Sequence, residues 1–122
     1  MIDISEIIGR IRRRVDFHQA GMVLCHNGVV RATRRDGRPV SGLTVHVDHE
    51  RLQRILAEQR ARPGIIDIQV EIAEDRFLKV GEDVMVLAVA GDIRERVIAV
   101  LADTLDAIKS EATEKIQFDS ES

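Results

Sequence analysis

Gly21-Met22-Val23-Leu24-Cys25-His26-Asn27-Gly28-Val29-Val30, a basic loop from Arg31 to Pro39, and Val40-Ser41-Gly42-Leu43-Thr44-Val45-His46-Val47 form the stretch that decides the fold. Two apolar, β-branched runs on either side of Asp36-Gly37 carry a strong short-range hairpin signal, because that dipeptide accepts the backbone angles of a tight turn. The loop gathers Arg31, Arg34, Arg35 and Arg38 around the turn. Guanidinium groups at a strand end can grip a carboxylate or a phosphate. They can equally be solvated charge at a hairpin tip. The residues alone leave both readings open.

Before this stretch, Ile4, Ile7, Ile8 and Ile11 follow helical spacing, which predicts a helix over residues 5–14 with Asp3 or Ser5 as cap. Arg10, Arg12, Arg13 and Arg14 crowd its last turn, where the helix dipole favours cations. After it, Asp48 can cap a second helix with Leu52, Ile55, Leu56 and Gln59 on one face, stopped by Pro63-Gly64. Ile65 to Ile72 alternates apolar and polar, as a half-buried strand does. Val84 to Ala90 is continuously apolar and reads as a central strand. A long helix is expected from Gly91-Asp92 to about Lys115, with Ile93, Val97, Val100, Leu101, Leu105 and Ile108 inward. The order α-β-β-α-β-β-α predicts an α+β domain, helices packed on a mostly antiparallel sheet. Residues 1–116 form the single expected domain, and 117–122 a polar C-terminal tail.

Composition narrows the function classes. At 122 residues the chain can bury a core without staples, and its 44% hydrophobic and 32% charged content is that of a soluble domain. Residues 1–62 hold twelve Lys and Arg against seven Asp and Glu, whereas residues 63–122 hold six against fourteen. A basic half could suggest nucleic acid, but there is no Trp or Tyr and there are only three Phe to stack bases on. No nucleic-acid role is expected. The longest apolar run is too short to span a bilayer, and Met1 to Glu6 does not read as a secretory leader. A single cysteine fits a reducing cytoplasm.

Few residues suggest chemistry by spacing. His18, His26, His46 and His49 match no ligand motif, so no metal site is expected. Cys25 and His26 are strand neighbours and point to opposite faces, which excludes a Cys–His pair and suggests a buried structural thiol. The turns at Gly81-Glu82-Asp83 and Gly91-Asp92 lack a phosphate-cradling pattern. Lys109, Lys115 and Arg94 are the remaining cations of interest. A catalytic lysine would need burial or a cationic neighbour.

Order and spacing of several segments together resemble the large, catalytic subunit family of molybdopterin synthase. Gly21-Met22-Val23-Leu24-Cys25-His26-Asn27-Gly28-Val29-Val30-Arg31 follows the family's strand frame, roughly G-A-V-V-x-F-x-G-x-V-R. Lys79-Val80-Gly81-Glu82-Asp83-Val84-Met85-Val86 resembles its later turn and strand, and Asp106-Ala107-Ile108-Lys109 its closing D-x-L-K helix. The resemblance spans about residues 3 to 115. It implies an α/β hammerhead fold, a homodimer, and a ubiquitin-like small subunit whose C-terminal Gly-Gly tail enters the large one. The implied reaction moves sulfur from the tail thiocarboxylate to cyclic pyranopterin monophosphate, two transfers making the dithiolene. No cofactor is implied.

By the same resemblance, Arg31 and Arg94 match family arginines and Lys109 the first of two active-site lysines. Arg34 and Arg38 would join the substrate-binding rim, and Lys109 and Lys115 the catalytic pair. The departures are specific. Ile93 stands where the family has the histidine of a His-Arg pair, Ala73-Glu74 replaces a second such pair, and Ile116 occupies the second lysine's position with Lys115 one place away. His26 replaces the strand's phenylalanine. The alternative these departures raise is a catalytically impaired paralogue that still binds a ubiquitin-like partner.

Overall fold

The computed structural model describes residues 2–120. Along the chain run α1 (Ile4–Arg12), a 3-10 turn (Phe17–Gln19), β1 (Met22–Val29), β2 (Val40–Val47) and α2 (His49–Arg60). There follow β3 (Ile65–Ile72), β4 (Leu78–Lys79), β5 (Asp83–Gly91), α3 (Arg94–Ala107), a π turn (Ile108–Ala112) and β6 (Thr113–Asp119). The expected α+β order is present, with β4 and β6 added. Asp3 and Asp48 cap α1 and α2, each accepting a backbone N–H three residues on, from Glu6 and Arg51 at 3.1 Å.

The strands form two antiparallel sheets, ordered β1-β5-β3 and β4-β2-β6. β5 is central and covered on both faces. Its Met85, Leu87 and Val89 enter the main core with Leu52, Ile55 and Leu56 of α2 and Val97 and Val100 of α3. Its Val86, Ala88 and Ala90 meet Ile7 and Ile11 of α1 in a smaller core. Burial on both sides is why this strand reads as continuous apolar sequence.

Four expectations change. β1 and β2 are not hairpin partners: β1 pairs with β5, while β2 lies between β4 and β6. The Asp36-Gly37 turn is real but local, closing only a Thr33–Pro39 bridge before the chain passes from one sheet to the other. Secondly, α3 ends at Ala107 rather than near Lys115. Ile108 and Ala112 are buried four residues apart, so the apolar spacing of a helix continues while the backbone widens into a π turn. The Thr113 hydroxyl donates to the Ile108 carbonyl at 3.2 Å, and the Asp48 N–H to that of Ala112 at 2.8 Å. Thirdly, Gln117 to Asp119 belong to β6 and are not part of a tail; residues 121 and 122 lie outside the described range. Ile93, expected inward, is 48% exposed and caps α3.

Gly42 of β2 makes the second sheet possible. A β-carbon there would meet the Leu78 carbonyl and the Phe77 ring, which packs edge-to-face on Phe118 with centroids 5.6 Å apart. Gly42→Ala is expected to destabilise the fold by about 1–3 kcal/mol, the usual cost of forcing extra volume into a fitted contact. A lowered urea midpoint checks this.

Candidate functional site

The basic loop is shaped by its own turn. Gly37 adopts a φ of 89°, a left-handed conformation that favours glycine. Its N–H donates to the Arg34 carbonyl at 2.9 Å, and the Arg34 N–H donates to the Arg38 carbonyl at 2.8 Å. Asp36 accepts the Arg38 backbone N–H at 3.0 Å and its Nε at 2.8 Å. Those two bonds to Arg38, the backbone one first, hold the Asp36 carboxyl below its ordinary pKa. Arg34 reaches across to β6, where Nε donates to Asp119 at 2.9 Å and the guanidinium also bonds the side chain and carbonyl of Gln117. Arg34 and Arg38 are therefore committed to building the loop.

Arg31 and Arg35 are not so committed. Arg31 donates one bond, from Nε to the Thr33 carbonyl at 2.9 Å. Among the described residues, no carboxylate forms an ion pair with Arg31, Arg35, Lys109 or Lys115, while fifteen ion pairs form among other residues, two of them, Arg34–Asp119 and Arg38–Asp36, at the cleft. These four cations converge. A cleft of about 460 Å³ is lined by Arg31, Arg34, Arg35, Arg38, Lys115 and Gln117, among others. Beside it, a slot of about 250 Å³ is lined by Val45, Ile72, Val84 and Met85 with Lys109. Arg35 and Lys115 line both. Partial burial, then the nearby charges of Lys109, Arg35 and Arg31, lowers the Lys115 pKa.

The elements explain how distant residues meet. Lys115 pairs with Val45 and Gln117 with Leu43, so these side chains share the sheet face turned to the cleft. Ile116 pairs with Thr44 on the other face and is 60% exposed. A one-residue offset in a strand reverses the face, so Lys115 and not Ile116 serves the cleft. The π turn presents Lys109 between α3 and β6.

Other sequence candidates lie elsewhere. Arg94 begins α3 and is exposed beside Glu95 at 3.8 Å. About fifteen residues of helical rise separate it from Lys109, roughly 22 Å, so one chain does not bring the two together. Glu74 pairs with His49 at 2.7 Å, and His46 with Asp75 at 2.9 Å, both histidines being exposed. The Asp75 carboxylate raises the His46 pKa, through its hydrogen bond first and then its charge. Cys25 is half-buried, not buried, and packs on the α1 side, where burial raises its thiol pKa. Among the described residues, no helix is long and apolar enough to cross a membrane.

The sequence names Arg35 with the other loop arginines without separating it from them, and gives His26 no role in the site. Arg35 is indistinguishable by sequence from Arg34 beside it, and only the loop's course separates bound from free guanidinium. His26 carried a signal: it is in phase with Met22, Leu24 and Gly28, and Met22 and Leu24 pack into the α3-side core. Burial and the nearby Lys109 charge lower its pKa.

Comparison with known proteins agrees with this architecture. The profile of the family described as MoaE protein matches residues 1–111. Molybdopterin synthase from Staphylococcus aureus superposes with a TM-score of 0.77 at 17% identity, covering 99% of this chain and 88% of that one. Molybdopterin cofactor biosynthesis protein E from Burkholderia multivorans gives 0.74 at 23%, covering 99% and 86%. A complex of subunits 1 and 2 of molybdopterin-converting factor from Helicobacter pylori gives 0.70 at 12%, covering 98% and 85%. At these identities the structures speak to fold. No curated protein matches the sequence.

Proposed function

We propose, from the premise that this chain belongs to the MoaE protein family of molybdenum cofactor biosynthesis, that it is the large subunit of a molybdopterin synthase. It takes sulfur from the C-terminal thiocarboxylate of a ubiquitin-like small subunit and passes it to cyclic pyranopterin monophosphate in the cytoplasm. Two copies form a homodimer, each with its own small subunit. The supporting observation is the set of four cations, Arg31, Arg35, Lys109 and Lys115, none of them ion-paired among the described residues, gathered around one cleft and slot whose lining carboxylate, Asp36, is taken up by Arg38. Uncompensated charge of one sign repels itself, and an anionic ligand relieves that repulsion.

The residues divide the work by surroundings. Arg31 and Arg35 line the polar cleft and hold the substrate phosphate through guanidinium hydrogen bonds. Arg34 and Arg38 hold the loop that carries them. The apolar walls of the slot, Val45, Ile72 and Val84, suit an extended Gly-Gly tail, whose thiocarboxylate then lies by Lys109. Attack by the thiocarboxylate sulfur shifts negative charge onto oxygen at the pyranopterin carbon, where the two lysines stabilise it, and water then cleaves the acyl C–S bond to leave the tail as a carboxylate. With its pKa lowered, Lys115 exchanges a proton near neutrality more readily than an ordinary lysine.

A second reading draws on Ile93 and Glu74, which stand where the family carries His-Arg pairs. A chain lacking those groups could keep the small subunit and lose turnover. The deciding experiment mixes the protein with a thiocarboxylated small subunit and cyclic pyranopterin monophosphate. Molybdopterin formation is expected; partner binding without product would favour the impaired paralogue, and neither would remove both readings.

A further inference from the structure

The cation set leaves His26 unused. It lies on β1 opposite Leu87 of β5, on the strand face that packs against α3. A β-carbon built on Gly28 would sit 3.3 Å from the His26 Nε2, so the ring runs along the strand over this glycine. Gly28 in turn pairs with Met85, which lines the slot that holds Lys109. His26 does not itself line the slot; its Nε2 lies over Gly28, one strand from the slot-lining Met85, and the ring has no hydrogen-bond partner among the described residues.

We infer that His26 is a further anion-binding residue of this slot, taking up a proton when an anionic group enters beside Lys109 and holding that group as the imidazolium. This deepens the anion-site reading and rests on it. Partial burial, and then the neighbouring Lys109 ammonium, disfavour a charged ring, and the pKa of His26 is lowered accordingly. An anion offsets the Lys109 charge and gives the new N–H an acceptor, so binding and protonation favour each other. The proton comes from solvent and adds to the free imidazole nitrogen; no other bond changes.

The surroundings leave few competing groups. Across the sheet β5 offers apolar Leu87, and on the facing helix Leu101 and Leu105 pack against this core. The π turn offers Lys109, whose charge helps to lower the pKa of the ring. Arg31, Arg35 and Lys115 complete the cleft beyond it. His46 and His49 are engaged with Asp75 and Glu74, and His18 lies beside the Val15 carbonyl before β1.

The test uses the whole protein and two probes: inorganic sulfate, whose charge is constant over the range, and a short peptide ending in Gly-Gly. Proton NMR follows the four histidine C2–H signals, with His26 assigned from His26→Gln. In the free protein His26 is expected to titrate below its ordinary value, and a saturating probe to raise that pKa by about one unit. By linkage, the probe then binds about tenfold more tightly at pH 5 than at pH 8, and less than about twofold so in His26→Gln. Sulfate producing the shift assigns the slot to a phosphate-like group; the peptide producing it assigns the slot to the tail. Either result supports the inference. Probes that move the Arg31, Arg35 and Lys115 resonances but leave His26 unshifted overturn it while the anion cleft stands. Probes that move none of these overturn both.

Discussion

Lys109→Ala is expected to slow molybdopterin formation by about 100- to 1,000-fold, the usual loss when one positioned charge is removed from a reacting centre. Folding should hardly change. Lys109 is exposed, and among the described residues it makes no ion pair, so its removal should shift stability by less than about 0.5 kcal/mol. Loss of its charge also relieves repulsion on Lys115 and His26, whose pKa values should move back up. Single-turnover rates and a thermal melt check both parts. Unchanged turnover would remove Lys109 from the chemistry, and a collapsed melt would make it a structural residue.

Arg35→Glu is expected to weaken binding of the pyranopterin phosphate by about 100-fold or more without destabilising the protein. Arg35 lines both the cleft and the slot, so a carboxylate there meets any incoming anion at the junction. At an effective dielectric of about 20, two charges some 4 Å apart interact by about 4 kcal/mol, ample for this loss after screening. The effect on folding has the opposite sign. Lys115 has a lowered folded-state pKa, so between its folded and unfolded pKa values the unfolded chain binds more protons and stability rises with pH. Below that window, where the ammonium is charged in both states, its unfavourable surroundings weigh fully on the fold. A carboxylate at position 35 removes the Arg35 charge that repels Lys115 and adds an attraction, so stability at neutral pH should be kept or raised. Calorimetry of ligand binding and urea unfolding would show the two effects separately. Equal binding in the variant would mean the phosphate lies elsewhere.

Much of the fold was legible because burial leaves a period in the sequence. β3 alternates, β5 is apolar throughout, and α1 and α2 carry their apolar stripes and aspartate caps. β6 was hidden because its cleft face carries Lys115 and Gln117 and its other face Ile116 and Phe118, an inversion of the usual apolar-in pattern. The π turn was hidden because Ile108 and Ala112 keep helical spacing. Pairing of β1 and β2 was misread because Asp36-Gly37 reports a local turn, whereas sheet membership depends on β5 and β6, distant in sequence.

The site divides in the same way. The arginine cluster is visible in the chain, but which guanidinium is free depends on Asp36, Asp119 and Gln117, and Asp119 and Gln117 belong to the unforeseen strand. Lys109 and Lys115 entered through resemblance. The register of β6 gives Lys115 its cleft-facing position. Arg94 shows the opposite outcome: aligned by motif, it lies at the far end of α3.

The central claim is that these four unpaired cations still turn over sulfur. Its most direct measurement is the stoichiometry of a single turnover, with thiocarboxylated small subunit in excess over cyclic pyranopterin monophosphate. Two thiocarboxylates consumed for each molybdopterin formed is the expected result. Saturable binding of small subunit and substrate with no thiocarboxylate consumed would contradict it.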